Sequence, residues 1–447
     1  MYINEIIEST NGLLLKGNNI LVNGFSIDTR TINENDIYIS LKGDNHDGNE
    51  FINVAIDKKC SGVIYSGEID ENIIKNNDIV FIKVDDTTIS LQEMARFKRS
   101  KYNIPVVAIT GSVGKTSTKD IISSVMSKKY NVLSTKGNLN NHIGLPLTLL
   151  GLNDHDAMCI EMGMNHFKEL SLLTNILKPT VAVITNIGTA HIGNLGSREN
   201  ILKAKLEILE GLTSKVVVIN NDNDLLNNWN KENNYYDVIT YGINNLSNFN
   251  ASNIKLDLDS STFDIEINNK KYNIEIDIPG SHFIYNALCA ISIGNLLEIN
   301  IEDIIAGIKE FKLSSKRMEI KKIDNKTLLI DCYNANYDSM KSALEVLGKY
   351  NERKIAVLGD MLELGDFSEI LHSKIGKLID TNNIDILITI GNFSNYIHEN
   401  ANIETKYHCT TNEEAVLMLK NIVQKDDIIL FKASNSMNFI EIVNNLT

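Results

Sequence analysis

The chain has 447 residues, of which 43% are apolar and 22% are charged, and its formal net charge is −14. This length exceeds one ordinary hydrophobic core and predicts about three domains. The acidic balance, with no basic stretch to offset it, excludes nucleic acid as the main partner. The five cysteines form no C-x-x-C pair, no cationic leader opens the chain, and no apolar run reaches membrane-spanning length. A cytoplasmic protein without membrane insertion is therefore expected.

The first part of the chain is predicted to be a small α/β domain over residues 1–87. Residues 50–57 have the apolar spacing of a helix. The apolar segments typical of strands are 24–28, 36–40, 62–65 and 80–84. A charged helix over 91–101 then leads to Pro105, which marks a boundary before the next strand.

The stretch that follows Pro105 predicts a mononucleotide site. An apolar run ends in a loop with two glycines, and a helical pattern begins directly after it. Backbone N–H groups of such a loop point at a phosphate, and glycine lets the main chain come close. We expect Lys115 to reach the β- and γ-phosphates and the Thr116 hydroxyl to hold Mg²⁺. The predicted nucleotide-binding residues here are Gly111, Ser112, Gly114, Lys115, Thr116 and Ser117.

This phosphate loop is shorter than the general Walker A pattern, G-x-x-x-x-G-K-[ST]. Counting back from Gly114, the first glycine of that pattern would stand at position 109, where the chain has Ile109. A strand–turn–helix junction without a ligand is the alternative interpretation, and the strand and helix on either side of the loop count against it.

The middle of the chain alternates strands and helices and predicts a central P-loop ATPase domain with a parallel sheet over residues 88–312. Continuous apolar runs at 157–161, 181–185 and 215–219 are typical of buried parallel strands. In residues 243–279, by contrast, turns rich in Asn and Asp separate short segments in which apolar and polar residues alternate. This pattern predicts a small antiparallel extension. A helix is predicted after it, from 283 to 297.

The last part of the chain predicts a Rossmann-like α/β domain over residues 313–447. Its predicted strands are 327–331, 354–359, 385–390 and 427–432. Ligands of open α/β sheets bind at the carboxyl ends of the strands, so this domain is expected to contribute to a site. The predicted fold class is therefore α/β with three domains.

Three polar residues of the central domain stand where a phosphate-linked metal site needs them. Glu161 and His191 follow successive predicted strands, and Lys205 lies on the next helix. Taken singly, each has an ordinary explanation as a strand end, a loop histidine or a surface lysine. Their joint position after consecutive strands favours metal ligation beside the phosphates.

Together, these segments resemble the Mur ligases, the ATP-dependent amide-forming enzymes of peptidoglycan precursor synthesis. The resemblance extends over almost the whole chain, and its segments are ITGSVGKTS (109–117), EMG (161–163), TNIG (185–188), PGSH (279–282), DCYNAN (331–336) and GDMLELG (359–365). The last two are most similar to the ligases that add D-alanyl-D-alanine to UDP-N-acetylmuramoyl-tripeptide. The resemblance implies these two substrates as partners, ATP and Mg²⁺ as cofactors, and an acyl-phosphate intermediate. We expect a monomer.

The resemblance also implies roles for single residues. Thr116 and Glu161 match ligands of Mg²⁺, and His191 matches a ligand of a second Mg²⁺ at the acyl carboxylate. Lys205 matches a position that is carbamylated in many Mur ligases, and carbamylation would turn a repelling cation into a metal-binding anion. The implied catalytic set is Lys115, Glu161, His191 and Lys205.

Further residues match the nucleotide and substrate sites of the family. His282 and Asn286 match the adenine side, Asp331 the ribose contact, and Arg317 an arginine that arrives from the third domain when the domains close. The segment that matches the uridine-diphosphate site consists of Asp28, Thr29 and Arg30. A surface salt bridge is the alternative interpretation of this segment. The candidates for holding the dipeptide or the peptide carboxylate are Asn334, Asn336 and Ser339, with plain turn residues as the alternative.

Some positions depart from the family pattern. Phe283 replaces an adenine-side Asn, His142 replaces a Glu, and Ala433 and Asn435 replace a Gly and an Arg near the C-terminus. Two other functions stay open at this point, namely a ligase that adds the third amino acid of the peptide and a non-catalytic nucleotide-binding protein. The Asp-Asn-Pro-Arg motif of the diaminopimelate-adding ligases and the Asn-Lys-x-Asp motif of GTPases do not occur in the chain.

Overall fold

The structure is a computed structural model that describes residues 1–43, 46–313 and 317–446. Its N-terminal sheet has five strands. They are β1 (Leu13–Lys16), β2 (Phe25–Ser26), β3 (Ile37–Ile39), β4 (Gly62–Ser66) and β5 (Val80–Val84). They pair in the order β1-β5-β4-β3-β2, with β1 antiparallel to β5 and the others parallel. The helices of this part are α1 (Ile3–Thr10), α2 (Ile52–Asp57) and α3 (Glu71–Asn76), with a 3-10 turn at Gly48–Phe51.

The central sheet has nine strands. They are β6 (Val106–Thr110), β7 (Val132–Ser134), β8 (Ala157–Glu161), β9 (Val181–Ile184), β10 (Val216–Asn220), β11 (Asp237–Gly242), β12 (Phe249–Leu256), β13 (Ser261–Ile267) and β14 (Lys270–Ile276). Their order is β14-β13-β12-β11-β10-β9-β6-β8-β7, and the pairing is parallel from β7 to β12. The β12-β13-β14 meander is antiparallel, which confirms the predicted extension.

Two groups of helices pack beside the central strands, α5 with α11 and α12, and α4 with α6 and α7. The helices of this part are α4 (Thr87–Ser100), α5 (Lys115–Met126), α6 (Gly144–Leu150), α7 (Glu169–Leu177), α8 (Ile192–Leu195), α9 (Arg198–Leu206), α10 (Asp224–Glu232), α11 (Ser281–Leu296) and α12 (Ile301–Glu310), with a 3-10 turn at Glu207–Gly211. Every residue of β6, β8 and β9 is buried, as expected for parallel strands with both faces covered.

The C-terminal sheet has six strands. They are β15 (Glu319–Ile323), β16 (Lys326–Ile330), β17 (Lys354–Gly359), β18 (Ile386–Ile390), β19 (Lys406–Cys409) and β20 (Ile428–Lys432). Their order is β15-β16-β20-β17-β18-β19, and only the β15–β16 pair among them is antiparallel. The helices are α13 (Tyr337–Leu347), α14 (Ser368–Thr381), α15 (Asn395–Asn400), α16 (Asn412–Ile422) and α17 (Ile440–Asn444), with 3-10 turns at Gly365–Phe367 and Asn435–Met437.

The three sheets confirm the predicted α/β class. Each sheet lies inside one of the predicted ranges 1–87, 88–312 and 313–447, and the boundaries themselves stay a prediction. In the described part of the chain no helix has the length and apolarity needed to cross a bilayer.

The strand register of the central sheet determines which loops meet. In the pairing of β6 with β8, Ile109 faces Glu161, and in the pairing with β9, Thr110 faces Ile184. Because parallel strands end at the same edge, the loops after β6, β8 and β9 converge there.

Candidate active site

A cleft of about 920 Å³ lies at this edge, and loops that follow both the central and the C-terminal strands line it. It gathers most of the residues singled out in the sequence. Those in its lining are Ser112, Gly114, Lys115, Thr116, Ser117, Glu161, His191, His282, Asn286, Arg317, Asp331, Asn334, Asn336 and Ser339. The predicted residues outside the lining are Asp28, Thr29, Arg30, Gly111 and Lys205.

The phosphate loop (residues 111–114) has a backbone that requires glycine at both ends. Gly114 has a φ of +80° at the N-cap of α5, and Gly111 has a φ of +155°. A Cβ on Gly111 would lie 1.9 Å from Thr185 Oγ1, so any side chain there is excluded. Since α5 begins at Lys115, the free N–H groups of its first turn lie at the cleft.

Lys115 folds back over the loop. Its Nζ donates to the Gly111 carbonyl at 2.9 Å, and burial lowers its pKa from the ordinary lysine value, while the nearby Glu161 carboxylate opposes that shift. A partly buried lysine at the start of this helix is placed to bind an anion, because partial desolvation strengthens its attraction for phosphate.

Thr116 and Glu161 form a compact group of oxygen donors. Thr116 Oγ1 donates to Glu161 Oε2 at 2.7 Å, and Asn140 Nδ2 donates to Glu161 Oε1 at 2.7 Å. The backbone N–H of Glu161 also donates to Thr135 Oγ1 at 3.0 Å. Glu161 is only 3% exposed, so its carboxylate is fixed by neighbours rather than by solvent. A hydroxyl beside a buried carboxylate is the donor set that Mg²⁺ takes together with phosphate oxygens.

Arg317 brings a positive charge from the C-terminal part of the chain to the same point. Its Nη2 donates to Thr116 Oγ1 at 2.9 Å, and its guanidinium stacks on the Tyr333 ring at 3.9 Å from the ring centroid. The structure therefore brings Arg317 to the phosphate loop, as predicted.

His191 meets a carboxylate that the sequence analysis did not select. Its Nδ1 lies 2.7 Å from Glu363 Oε2, a distance typical of an ion pair, although the direction is poor for a hydrogen bond. The imidazole lowers the pKa of the Glu363 carboxyl. The backbones also meet here, because Gly193 N–H donates to the Glu363 carbonyl at 3.3 Å. This contact joins α8 to the loop after β17.

Lys205 is a buried residue rather than a surface lysine. Its side chain is 1% exposed, and no described residue forms an ion pair with its ammonium. Burial, aided by the charge of Lys115, lowers its pKa well below the ordinary value. The uncharged amine is therefore strongly favoured at this position.

The predicted adenine side lies at the start of α11. Thr118 Oγ1 donates to Asn286 Oδ1 at 3.0 Å, and burial lowers the pKa of His282 to about 4, so its imidazole is neutral. The His282 ring packs on Phe283, with ring centroids 4.3 Å apart. Phe283 is 2% exposed and acts as a core residue, so the protein accommodates an aromatic ring where the family pattern given above implies an amide.

The candidate residues after β16 all have partners within the protein. Asp331 Oδ2 accepts from Lys432 Nζ at 2.6 Å, and Lys432 is 1% exposed. Asn336 and Ser339 form a capping box at the start of α13, with Ser339 N donating to Asn336 Oδ1 at 2.9 Å. Asn334 Oδ1 accepts from the N–H of Ala335. The bonds of Asn334, Asn336 and Ser339 are local turn and cap contacts. The role of these three side chains in substrate binding stays a prediction.

The segment predicted to bind the uridine diphosphate lies in the N-terminal part. Arg30 donates to both carboxylate oxygens of Asp28, and this ion pair lowers the pKa of Asp28 to about 2. The Arg30 side chain is 87% exposed, so the alternative of a surface salt bridge describes the geometry seen here. A diphosphate contact from Asp28, Thr29 and Arg30 stays a prediction.

Four residues of the site escaped the sequence analysis as single candidates. Asn186 and Glu363 lie inside the TNIG and GDMLELG segments, and Asn140 lies outside the segments that carry the resemblance. An amide or an acid in a loop gives no signal of its partner. Asp338 had no signal at all, and its Oδ2 accepts from the N–H and the hydroxyl of Thr189 at 2.9 and 3.1 Å.

Comparisons with known proteins agree with this geometry. The model of the Mur ligase middle domain matches residues 109–294, and that of the Mur ligase glutamate ligase domain matches residues 316–435. UDP-N-acetylmuramoyl-tripeptide–D-alanyl-D-alanine ligase of Bacillus subtilis is 36% identical over 95% of this chain and 93% of its own length. The Escherichia coli ligase of the same name is 31% identical over 99% and 97% of the two chains. The crystal structure of MurF from Acinetobacter baumannii has a TM-score of 0.90 at 28% identity and covers 99% of this chain and 98% of its own. The chain therefore belongs to the Mur ligase family.

Proposed function

We propose that this protein is the ATP-dependent ligase that joins D-alanyl-D-alanine to UDP-N-acetylmuramoyl-tripeptide. The observation that carries this proposal is the meeting of Lys115, the Thr116–Glu161 pair and Arg317 in one cleft. The choice of substrates rests on the full-length similarity to relatives that carry this name.

The reaction has to make a poor electrophile reactive. A carboxylate resists attack by an amine, so the γ-phosphoryl group of ATP is first transferred to the terminal carboxylate of the peptide. The amine of the dipeptide then attacks the acyl carbon, the amide bond forms, and inorganic phosphate leaves. Two anions must meet in the first step, and Lys115 and Arg317, which contact the Gly111 carbonyl and the Thr116 hydroxyl, would neutralise that charge.

The residues present fit Mg²⁺. The Thr116 hydroxyl and the Glu161 carboxylate would hold it beside the nucleotide phosphates, and His191 would serve a second ion at the acyl carboxylate, as the family resemblance implies. When bound, Mg²⁺ would supply charge neutralisation at the transferred phosphoryl group. Asn140 keeps the Glu161 carboxylate oriented through its 2.7 Å hydrogen bond.

Lys205 is the residue whose chemistry we expect to be changed by modification. Burial favours its uncharged amine, and the lone pair of such an amine adds to CO₂ with the loss of one proton, giving a carbamate. A carbamate presents anionic oxygens in place of a neutral amine. It would bring a negative charge into the neighbourhood of Lys115 and would supply a carboxylate-like group to the metal site.

The substrates would bind from both ends of the molecule. Asp28, Thr29 and Arg30 would hold the uridine diphosphate, and Asn334, Asn336 and Ser339 would lie near the dipeptide or the peptide carboxylate. His282, Asn286 and Asp331 would contact the nucleoside of ATP. We place the reaction in the cytoplasm, in a monomer, and the five cysteines, all buried and outside any disulfide, suit a reducing compartment.

The test is phosphate release by the purified protein given ATP, Mg²⁺, UDP-N-acetylmuramoyl-tripeptide and D-alanyl-D-alanine, with each component left out in turn. Release that needs all four, with a UDP-linked pentapeptide as product, is the expected result. Lys115→Met serves as the inactive control. Release from a UDP-linked dipeptide plus lysine or diaminopimelate would instead assign the third-residue ligation, and ATP binding without release would leave a non-catalytic protein.

A further inference from the structure

Asn186, the second residue after β9, is bonded to the phosphate loop by both ends of its carboxamide. Its Oδ1 accepts from the N–H groups of Ser112 and Val113 at 3.1 and 2.9 Å. Its Nδ2 donates to the Val113 carbonyl at 3.1 Å, and its own carbonyl accepts from the Ser112 N–H at 3.1 Å. The loop is therefore attached along its length to the neighbouring strand end.

The residues on either side of Asn186 add to this attachment. Thr185 Oγ1 donates to the Val113 carbonyl at 2.8 Å, and Gly188 N–H donates to Ser112 Oγ at 2.9 Å. Because Thr110 of β6 pairs with Ile184 of β9, the sheet register places these segments side by side. These contacts therefore follow from the pairing of β6 with β9, which places the phosphate loop beside residues 185–188.

Two consecutive N–H groups that converge on one oxygen form the arrangement in which loops bind anions. Here the Asn186 oxygen occupies that arrangement at Ser112 and Val113. The N–H groups from Gly114 to the first turn of α5 stay available at the cleft, next to Lys115. The loop is also shorter than a Walker A loop, so a contact from outside takes over part of its support.

We propose that Asn186 is a positioning residue for ATP, which holds the short phosphate loop in its binding conformation by accepting hydrogen bonds from the N–H groups of Ser112 and Val113. The proposal deepens the proposed ATP site and rests on it. Without the carboxamide, the Val113 N–H loses its partner and the Ser112 N–H keeps only the backbone carbonyl of residue 186. A loop with glycine at both ends then gains conformational freedom that ATP binding must remove.

The experiment compares Asn186→Ala with Asn227→Ala in the full chain. Asn227 has the same side chain and is also partly exposed, and it is hydrogen-bonded to Asn221 away from the cleft. Isothermal calorimetry gives the Kd for ATP, thermal unfolding gives Tm, and phosphate release gives KM for D-alanyl-D-alanine. We expect Asn186→Ala to raise the Kd for ATP about tenfold or more. We expect its Tm to stay near that of Asn227→Ala and its KM for the dipeptide to be unchanged.

A second variant tests whether the two bonds on Val113 act together. Thr185→Val removes one donor to the same carbonyl without changing side-chain size. The double variant should weaken ATP binding by less than the product of the two single effects, since both disturb one loop. Two results for Asn186→Ala would overturn this inference and leave the proposed function standing. One is a wild-type Kd for ATP, and the other is an equal loss of affinity for every substrate in parallel with a lower Tm. A wild-type protein that binds no ATP would overturn the proposed function and the inference together.

Discussion

Replacing Gly193 by alanine should impair ligation while leaving the central sheet intact. Gly193 lies in α8, next to the loop after β17 that carries Glu363 and Gly365. A Cβ at this position would meet Gly365 N at 2.6 Å, Leu364 C at 2.7 Å and the Glu363 carbonyl oxygen at 2.8 Å. All three are backbone atoms, so no side-chain rotation relieves the contact.

The magnitude follows from that geometry. Ordinary contact requires the two segments to separate by roughly 1 Å. Overpacking of this kind costs about 1–3 kcal/mol. If the whole cost falls on the docking of the C-terminal part against α8, the equilibrium constant for docking decreases about fivefold to 150-fold. We expect kcat to fall by about tenfold or more, because His191 and Thr116 then lose contact with Glu363 and Arg317. Alanine is also the better helix former by about 1 kcal/mol, so α8 itself is not weakened.

The assay is phosphate release with all substrates, next to calorimetry with ATP alone and thermal unfolding. The control is Asn194→Ala, which introduces alanine at the next position of the chain, where the side chain is exposed. The decisive pattern is a loss of kcat that exceeds any loss of ATP affinity, with Tm unchanged. A Gly193→Ala protein with wild-type kcat would show that the contact between α8 and residues 363–365 is no part of the reactive arrangement.

Three further predictions concern single groups of the site. Glu161→Gln should raise the Mg²⁺ concentration for half-maximal phosphate release by roughly tenfold or more, and an unchanged requirement would remove Glu161 from the metal site. In protein exchanged into ¹³C-bicarbonate, a carbamate carbon resonance should appear in wild type and be missing from Lys205→Arg; a signal that survives the substitution would place the carbamate elsewhere. Lowering the pH from 7 to 5 should reduce the free energy of unfolding, because an unfolded imidazole binds a proton below about pH 6.5 whereas that of folded His282 does so only near its pKa of about 4. In urea unfolding, His282→Gln should lose about 1–2 kcal/mol less of its free energy of unfolding than wild type over this range, and equal losses would contradict a neutral His282 in the folded protein.

Local patterns in the sequence were enough to predict the nucleotide half of the site. The phosphate loop is encoded within a few residues, since two glycines, a lysine and a hydroxyl stand directly between a strand and a helix. Glu161 and His191 both line the cleft because Glu161 ends β8, His191 follows β9, and parallel strands end at one edge. The antiparallel meander was predictable because period-two alternation separated by Asn and Asp turns is a local signal.

Contacts between separate parts of the chain could not be predicted in this way. The approaches of Arg317 to Thr116, Glu363 to His191 and Asp338 to Thr189 depend on how two sheets pack, and no spacing in the sequence records it. Helix α1 and strand β1 were also missed. In β1 the burial alternates between exposed and half-buried residues, so LLLK gives a strand without the run of β-branched residues that identifies the others.

Polar side chains near the end of a strand show why such residues are ambiguous. Asn336 and Ser339 satisfy the first turn of α13, a task that any helix start imposes. The same residue types would suit a peptide carboxylate. Sequence alone does not separate these two uses, whereas the structure shows the helix-cap contacts directly.

Each of the three sheets is built from one continuous stretch of the chain, and this has a consequence for biosynthesis. The first is complete once residue 84 has been made, the second at residue 276 and the third at residue 432, and none borrows a strand from another. Each sheet can therefore form as it leaves the ribosome, without waiting for a distant segment. The phosphate loop then exists early in synthesis, while Arg317 and Glu363 reach it only near the end. A nascent chain should thus acquire nucleotide affinity well before it becomes competent for the reaction.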